Sequence, residues 1–394
     1  MIDGSNNKIK VAIDATRSRS GGAVTHLVGL LTAVNPEDFG ISEVHLWSYR
    51  ELLAKIPNYP WLIKHSPFVL TKSLLRQLFW QKYKFPFEIK KNNCDILLST
   101  HAGTVCSFKP AIVMSREMLC FEPGELYRYP LCSVARLRLI ILRIIQIKSL
   151  NSAYASIFLT EYARQVINKY LIVPRANQSI IPHGVSDSFQ KIKKNILASD
   201  NNDQVLKCVY VSNADYYKHQ WNVIKAIKTL RDLGYLVELE LVGGGTGPAV
   251  KKILNAQRLY DPNLIFTKIL KSVSHDEISK YLSNADIFIF ASSCENLPNT
   301  LLEAMAVGLP IACSDRGPMP EILQDRGLYF DPEEPSTITT ALQKLVNNKE
   351  LRRKLSTSAY KEGSVYTWSR CATKTWNFVS KISKDYANTY NKLN

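Results

Sequence analysis

The chain has 394 residues, which is too long for one ordinary hydrophobic core and favours two domains. Its composition, 46% hydrophobic and 21% charged, is that of a globular protein and excludes a low-complexity chain. A formal net charge of +16 implies an anionic partner, which composition alone leaves open as nucleic acid, a lipid surface or a phosphorylated substrate. Eight scattered cysteines without a CxxC pair argue against a zinc site or a disulfide framework.

The first part of the chain alternates short apolar runs with helical patterns. The amino terminus, MIDGSNNKIKVAID, has no apolar core of signal-peptide length, so we expect a cytosolic protein. A strand at Val11–Asp14 is followed by a glycine turn at Gly21 and Gly22 and then by a helix. Further strands are predicted at residues 44–47, 95–99, 111–114 and 155–159. This alternation predicts a Rossmann-like domain over residues 1–190, with a parallel sheet covered on both faces.

Two stretches of this domain are both basic and apolar. The segment Lys72–Lys91, KSLLRQLFWQKYKFPFEIKK, has six cations and one acid among bulky apolar residues, and this favours contact with a membrane surface. The stretch SVARLRLIILRIIQIKSL, from Ser133, carries four cations and no acid. Its apolar run is too interrupted to span a bilayer. Two alternatives remain for it, a mostly buried interior helix, which we favour, and a helix lying on a membrane.

A second domain follows a polar stretch. Residues 191–204 are charged with little periodicity and are predicted to be the linker. Apolar runs beginning at Val205, Val237, Asn263 and Ala285 then predict a second Rossmann-like domain over residues 205–367. Residues 368–394 read as a helix that packs toward the first domain. We expect the ligand of such a pair of domains in a cleft at the carboxyl ends of their strands.

One segment combines two acids with a helix start. In SSCENLPNTLLEAMAVGLP, Glu295 follows a predicted strand, and a helix beginning at Pro298 or Asn299 carries Glu303. The amide groups at a helix start suit a diphosphate, and carboxylates accept paired hydrogen bonds from vicinal hydroxyls. This predicts a nucleotide sugar with its hexose on Glu295 and its ribose on Glu303. The alternative is that both are ordinary glutamates near a helix start, and spacing alone does not decide between the two.

Around these two glutamates the chain resembles a known family. Glu295, Glu303, EAMAVGLPIACSDRGPMPEIL and GLYFDPEEP are similar to the signature region of the family 4 retaining glycosyltransferases of the GT-B fold, especially the bacterial surface-polysaccharide members that build O-antigen or capsule. The similarity is dense from about Val205 to Trp368. In the first half it rests on the glycine turn, DILLSTHAG, IFLTEYARQVI and IIPHG. It implies two facing Rossmann-like α/β domains with an interdomain cleft and a carboxyl-terminal helix returning to the first.

The resemblance also implies roles for individual residues. Lys218 corresponds to the lysine that meets the donor diphosphate, and Asn213 stands where many members have an arginine, so Arg116 is a possible substitute cation. The predicted catalytic residues are Glu295, Lys218 and His101. The predicted donor-binding residues are Gly21, Gly22, Asn296, Leu297, Asn299, Thr300, Leu301 and Glu303.

Other residues are assigned more narrowly. His101 is predicted to contact the reacting sugar, with a hydrogen-bonded structural histidine as the alternative. Arg116 and Glu117 follow a strand and are possible acceptor or phosphate contacts. His183 is predicted to be a turn residue. The base is expected to meet backbone groups near Thr267–Ile269.

The expected activity follows from these residues together with the resemblance. The chain contains no DxD motif, so we expect no metal and no cofactor. The resemblance implies retaining transfer of a mannose- or glucose-type hexose to a growing, lipid-linked glycan, at the inner face of the cell membrane. The alternatives are a soluble acceptor and a non-catalytic sugar-nucleotide-binding protein on the same fold. The run GGGTGP fails the GxGxxG spacing of NAD enzymes, and no nucleic-acid-binding module accompanies the cations.

Overall fold

The computed structural model describes residues 8–19, 21–172, 177–192 and 205–393. The chain divides into two compact units, Met1–Gly184 with Trp368–Asn394, and Val185–Thr367. The division therefore falls ahead of the predicted linker of residues 191–204, and residues 193–204 of that linker lie outside the described ranges. The first unit is discontinuous in sequence, whereas the second is one continuous segment.

Within the described residues, the first unit contains a seven-stranded sheet in which all neighbouring strands are parallel. Their order is β3-β2-β1-β4-β5-β6-β7. The central strands are buried on both faces, as apolar runs in a covered parallel sheet require. The strands are β1 Ile9–Asp14, β2 Ile41–Trp47, β3 Leu62–His65, β4 Ile96–Ser99, β5 Ala111–Met114, β6 Ala155–Phe158 and β7 Gln178–Ile180. Short, half-exposed β3 and β7 at the two edges were not predicted, because edge strands carry little apolar pattern.

The helices of the first unit are α1 Gly22–Thr32, α2 Arg50–Leu53, α3 Leu74–Tyr83, α4 Phe85–Lys91, α5 Val134–Ser152 and α6 Glu161–Asn168. From β1 the chain adds β2 and β3 on one side, and it then crosses back to β4 and adds β5, β6 and β7 on the other side. Because parallel crossovers are right-handed, connections that run in opposite directions along the sheet lie on opposite faces. The connection from β3 to β4, which carries α3 and α4, runs in the same direction as the one from β5 to β6, which carries α5. Helices α3, α4 and α5 therefore share one face, and α1 lies on the other.

Counted over the same described ranges, the second unit has a six-stranded parallel sheet in the order β10-β9-β8-β11-β12-β13. Its strands are β8 Leu206–Val211, β9 Val237–Val242, β10 Thr267–Leu270, β11 Ile287–Phe290, β12 Ile311–Ser314 and β13 Leu328–Phe330. Its helices are α7 Asp187–Gln190, α8 Gln220–Asp232, α9 Pro248–Tyr260, α10 His275–Asn284, α11 Asn299–Val307, α12 Met319–Leu323, α13 Pro335–Asn347 and α14 Lys349–Gly363. The two Rossmann-like units confirm the predicted fold class.

The last helix, α15 Trp368–Leu393, packs against α1 in the first unit, as predicted. The contact is close at its start, because a Cβ on Gly29 of α1 would lie 2.2 Å from the Trp368 ring. Trp376, further along α15, is fully buried. Glycine at position 29 therefore makes room for the indole that anchors the returning helix.

Helix α5 corrects one prediction, since it is not a mostly buried interior helix. Val134, Leu137, Ile141 and Ile144 are 48–83% exposed, and the buried side chains lie only in its last turns. Ser133 caps its start by accepting a hydrogen bond from the Arg136 amide. The apolar run predicted a buried helix, but the apolar side chains in most of its length remain exposed.

Candidate active site

Two loops at the carboxyl edge of the second sheet are joined by hydrogen bonds. They follow the adjacent strands β8 and β11. The Ser293 amide donates to the carbonyl of Tyr217 at 2.8 Å, and the Ser293 hydroxyl lies 3.0 Å from Nε2 of His219. His219 adopts a left-handed conformation, φ 48°, just ahead of α8. These contacts fix the position of the loop that carries Glu295.

The structure brings Lys218 and Glu295 together. The Lys218 ammonium forms a salt bridge with the Glu295 carboxylate, and the two side chains are 12% and 15% exposed. Tyr210 donates from its hydroxyl to the carbonyl of Lys218 at 2.8 Å, which holds the short 3₁₀ helix of residues 216–218 in place. Each charge offsets part of the cost of burying the other. The two predicted catalytic residues of this unit therefore form one charged pair.

Helix α11 begins at Asn299, four residues after Glu295. The amides of Leu301 and Leu302 donate to the carbonyl of Pro298, so the predicted contribution of Leu301 through its amide is already used within the helix. The amides of Asn299 and Thr300 have no acceptor among the described residues, and the buried side-chain oxygen of Asn299 has no donor among them. The helix start thus offers two backbone donors next to the charged pair.

The remaining donor-site residues of this unit lie in the same segment. Glu303 is 5% exposed on α11, and Asn296 and Leu297 are buried in the loop before it. Helix α14 packs on the back of α11, where a Cβ on Gly363 would lie 2.6 Å from the backbone of Ala306. Glu303 is therefore held on a helix that is covered on its other side.

The glycine run after β9 has a packing role. A Cβ on Gly243 would lie 2.1 Å from the Ser212 carbonyl oxygen, and the Ala214 amide donates to the Gly244 carbonyl at 2.8 Å. The loops after β8 and β9 thus approach each other so closely that side chains would not fit. Asn213, in the β8 loop, is exposed.

The predicted base-binding segment lies on β10 at the sheet edge. The Thr267 amide donates to the Asp261 carboxylate at 2.7 Å, and its carbonyl accepts from Gln257 at 2.9 Å. The backbone of Thr267 is therefore already hydrogen-bonded within the protein. The prediction that backbone groups of this segment bind the base then applies to Lys268 and Ile269.

At the carboxyl edge of the first sheet, a buried carboxylate was missed by sequence reasoning. Asp14 ends β1 and is fully buried. It accepts from Thr16 at 2.7 Å and from Gln81 at 2.7 Å, and His101 Nε2 lies 3.5 Å away. Burial opposes ionisation of Asp14, but His101 and the Thr16 hydrogen bonds outweigh it and hold its pKa at about 2. An acid at the last position of an apolar strand was the available signal.

His101 is thereby placed against an anion, at 13% side-chain exposure. On the neighbouring β1–α1 connection, Gly21 has φ 60° and precedes a helix without a side-chain cap. No Cβ clash explains this glycine, so the left-handed backbone does. Gly22 then begins α1.

Three further polar side chains meet in this unit. Arg116 follows β5, His26 lies on α1, and His183 follows β7. The rings of His26 and His183 are 4.5 Å apart, and both residues are buried. The prediction that His183 is a turn residue was wrong, because its imidazole packs under the His26 ring and its backbone forms no turn. Glu117, beside Arg116, is exposed.

Among the described residues, no helix combines the length and the apolar character needed to cross a membrane.

Comparison with known proteins finds a family match in the second unit. Residues 189–362 match the sequence family described as Glycosyl transferases group 1. The sulfoquinovosyl transferase SQD2 of Arabidopsis thaliana is 30% identical over 29% of this chain, and the O-antigen chain mannosyltransferase B of Escherichia coli is 29% identical over 26% of it. These matches span only 22% and 27% of the two relatives.

A solved structure matches almost the whole chain. The Anabaena protein Alr3699/HepE, in complex with UDP-glucose, superposes with a TM-score of 0.66 and 15% identity, over 96% of this chain and 99% of the other. At that identity the likeness shows the fold alone, which is of GT-B type. The match to the Glycosyl transferases group 1 family falls within the second unit of this chain.

Proposed function

We propose that the protein is a retaining, metal-independent glycosyltransferase that moves a mannose- or glucose-type hexose from a nucleotide diphosphate sugar to a growing, lipid-linked surface glycan. The observation that carries this proposal is the Lys218–Glu295 pair beside the start of α11, within a domain of the group 1 family. Relatives named for O-antigen and amylovoran synthesis support the glycan acceptor.

In the proposed mechanism, the donor diphosphate lies at the amides of Asn299 and Thr300 and beside Lys218. The ammonium stabilises the negative charge that grows on the leaving phosphate as the bond to the sugar breaks. One Glu295 oxygen is held by Lys218, and the other accepts hydrogen bonds from the hexose hydroxyls. Glu303 accepts from the ribose. The protein supplies positioning and charge, while the leaving phosphate takes the acceptor proton.

Both basic apolar stretches of the first unit support a membrane-bound acceptor. On α3, α4 and the preceding turn, Phe68, Leu75, Phe79 and Phe87 are 59–79% exposed. The single acid of this segment, Glu88, points inward and accepts from the indoles of Trp47 and Trp80. Its six cations form no salt bridge with another described residue. They are Lys72, Arg76, Lys82, Lys84, Lys90 and Lys91.

This segment and α5 lie on the same face of the first sheet. Helix α5 adds exposed apolar residues and three arginines, Arg136, Arg138 and Arg143, without an acid. A surface of exposed apolar side chains with unpaired cations suits an anionic bilayer. A cavity of about 340 Å³ opens within it, lined by Val69, Leu75, Arg76, Phe79, Trp80 and Lys84.

The donor is tested first. Thermal shift against UDP-, GDP-, dTDP- and ADP-sugars should give one clear stabiliser, because a ligand that binds only the folded state raises Tm. Transfer is then followed as release of the nucleotide, with and without EDTA. Stabilisation without turnover on any glycolipid acceptor would favour the non-catalytic sugar-nucleotide-binding alternative. Loss of turnover in EDTA that Mg²⁺ restores would contradict metal independence.

The proposed binding to a membrane surface is tested by flotation with liposomes. We expect binding to vesicles with 30% anionic lipid at low salt and weak binding to neutral vesicles. Replacing exposed Phe79 and Phe87 by Ser should abolish flotation, whereas replacing exposed Leu254 and Leu259, on α9 of the second unit, should not. Wild-type protein that stays in solution with anionic vesicles would favour the soluble-acceptor alternative.

A further inference from the structure

The first unit contains a cluster of buried nitrogen groups that the proposed mechanism does not use. It consists of His26, Arg116 and His183 and is called here the His–Arg cluster. His26 is fully buried and His183 is 4% exposed. Their rings lie 4.5 Å apart, and each is about 6 Å from the Trp368 ring. Arg116 is near enough to both imidazoles to lower their pKa values further.

These groups lack hydrogen-bond partners. Both ring nitrogens of His26, Nδ1 of His183 and Nε of Arg116 are buried with no partner among the described residues. Buried polar groups in folded proteins are nearly always paired, and leaving one unpaired destabilises the folded state. The two histidines are in ring contact, and Arg116 follows β5 at the same edge of the sheet. A bound molecule that pairs with these nitrogens would complete their hydrogen bonds.

A second histidine pair in the same unit has hydrogen-bond partners for its ring nitrogens. His45 Nδ1 lies 3.0 Å from His65 Nε2, and His45 Nε2 lies 3.2 Å from Glu43. There the imidazoles bond each other and a carboxylate. The His–Arg cluster has a guanidinium in place of the carboxylate, so the missing component is an acceptor with negative charge.

The position of the cluster is that of a ligand site. Arg116 and His183 follow the carboxyl ends of β5 and β7, and His26 lies in the second turn of α1, whose start has no side-chain cap. Ligands of parallel sheets bind at this edge, and the helix start adds positive potential. Arg116 is partly exposed although its Nε is buried, which leaves a way in from solvent.

We propose that His26, Arg116 and His183 form a binding site for a single anionic group, a phosphoryl or carboxylate group of the acceptor. The guanidinium binds the anion as a charged donor, and each neutral imidazole adds one N–H. The assignment of the anion to the acceptor rests on the proposed function, whereas the anion site itself does not.

The test uses the full chain with inorganic phosphate as the probe. At pH 8 and constant ionic strength, replacing chloride by phosphate should raise Tm by about 2–4 °C. Arg116→Gln and His26→Phe should lose this shift. His45→Phe, which removes a partnered buried histidine from the same unit, should keep it. An unchanged Tm for the wild type, or a shift that persists in both cluster variants, overturns the site.

A measurement on the wild type covers variants that fail to fold. The chain has seven histidines, and after ¹⁵N-histidine labelling two imidazoles should shift with phosphate. No imidazole shift on titration overturns the site. Glu295→Gln should keep the phosphate response, so a protein that responds but transfers no sugar retains the anion site and loses the proposed function.

Kinetics identify the source of the anion. With an acceptor that bears a phosphoryl or carboxylate group, Arg116→Gln should raise KM for the acceptor about ten- to a hundredfold and leave KM for the donor unchanged. A rise in donor KM alone would assign the site to the donor diphosphate and overturn the acceptor assignment.

Discussion

The carboxyl edges of the two sheets differ in how their charged groups are balanced. In the second unit Lys218 and Glu295 neutralise each other, and both are nearly buried. In the first unit both ring nitrogens of His26, Nε of Arg116 and Nδ1 of His183 are buried with no partner among the described residues. A paired site keeps its geometry before the ligand arrives, whereas unpaired groups gain their partner only when a ligand binds. The Lys218–Glu295 edge is thus organised in advance, whereas the proposed anion site depends on its ligand.

The largest expected effect is on the paired edge. Glu295→Gln removes the charge that orients the hexose and balances Lys218, so the transfer rate should fall roughly a hundred- to a thousandfold. Circular dichroism should show an unchanged fold. The matched control is Asp232→Asn, which breaks the exposed Lys228–Asp232 pair on α8 of the same unit and should leave the rate unchanged. Normal turnover of the Glu295 variant would remove this residue from the site.

Glu303→Ala tests the nucleotide half of the same edge. Loss of a buried carboxylate that accepts from the ribose should weaken nucleotide binding roughly ten- to a hundredfold, with a smaller effect on kcat at saturating donor. Isothermal titration calorimetry with the nucleoside diphosphate measures this. Glu350→Ala, at an exposed position of α14, is the control. Equal affinity in both variants would contradict the ribose contact.

Two glycine variants test the packing of α14 on α11 in the second unit and of α15 on α1 in the first. Gly363→Ala would place a Cβ 2.6 Å from the backbone of α11, and Gly29→Ala would place one 2.2 Å from Trp368. Each should lower the free energy of unfolding by about 1–3 kcal/mol in urea titrations. Gly103→Ala meets only ordinary contacts at 3.8 Å and should be neutral. Neutral behaviour at Gly363 would show that α14 does not hold α11.

Most of the fold was predictable because both sheets are buried on both faces, and their central strands appear as uninterrupted apolar runs. The Glu295–Glu303 segment was predictable because helix start and acids are adjacent in sequence. Asp14 and His26 were not, since Gln81, which binds Asp14, and His183, which contacts His26, are more than sixty residues away and only the fold brings them together. Helix α5 was misassigned because an apolar run does not reveal whether a neighbouring element covers it.

The smallest effect is the contribution of the unpaired edge to the pH dependence of stability. Burial lowers the pKa values of His26 and His183 well below 6.5. A depressed folded-state pKa gives stability that is present above pH 6.5 and is lost below it, as the unfolded chain takes up protons first. Between pH 6.5 and 5.5 each histidine should cost up to about 1.4 kcal/mol.

Urea titrations at the two pH values measure this loss. His26→Phe should reduce it. An identical pH dependence in wild type and His26→Phe would show that the buried pair does not contribute.

The packing of Trp368 on Gly29 has a consequence for biosynthesis. Because α15 belongs to the first unit, the ribosome must make all of residues 185–367 before α1 can receive its cover. Domains usually fold in the order in which they leave the ribosome. Here the second unit is completely synthesised before the first, so α1 stays partly uncovered until the last helix is translated.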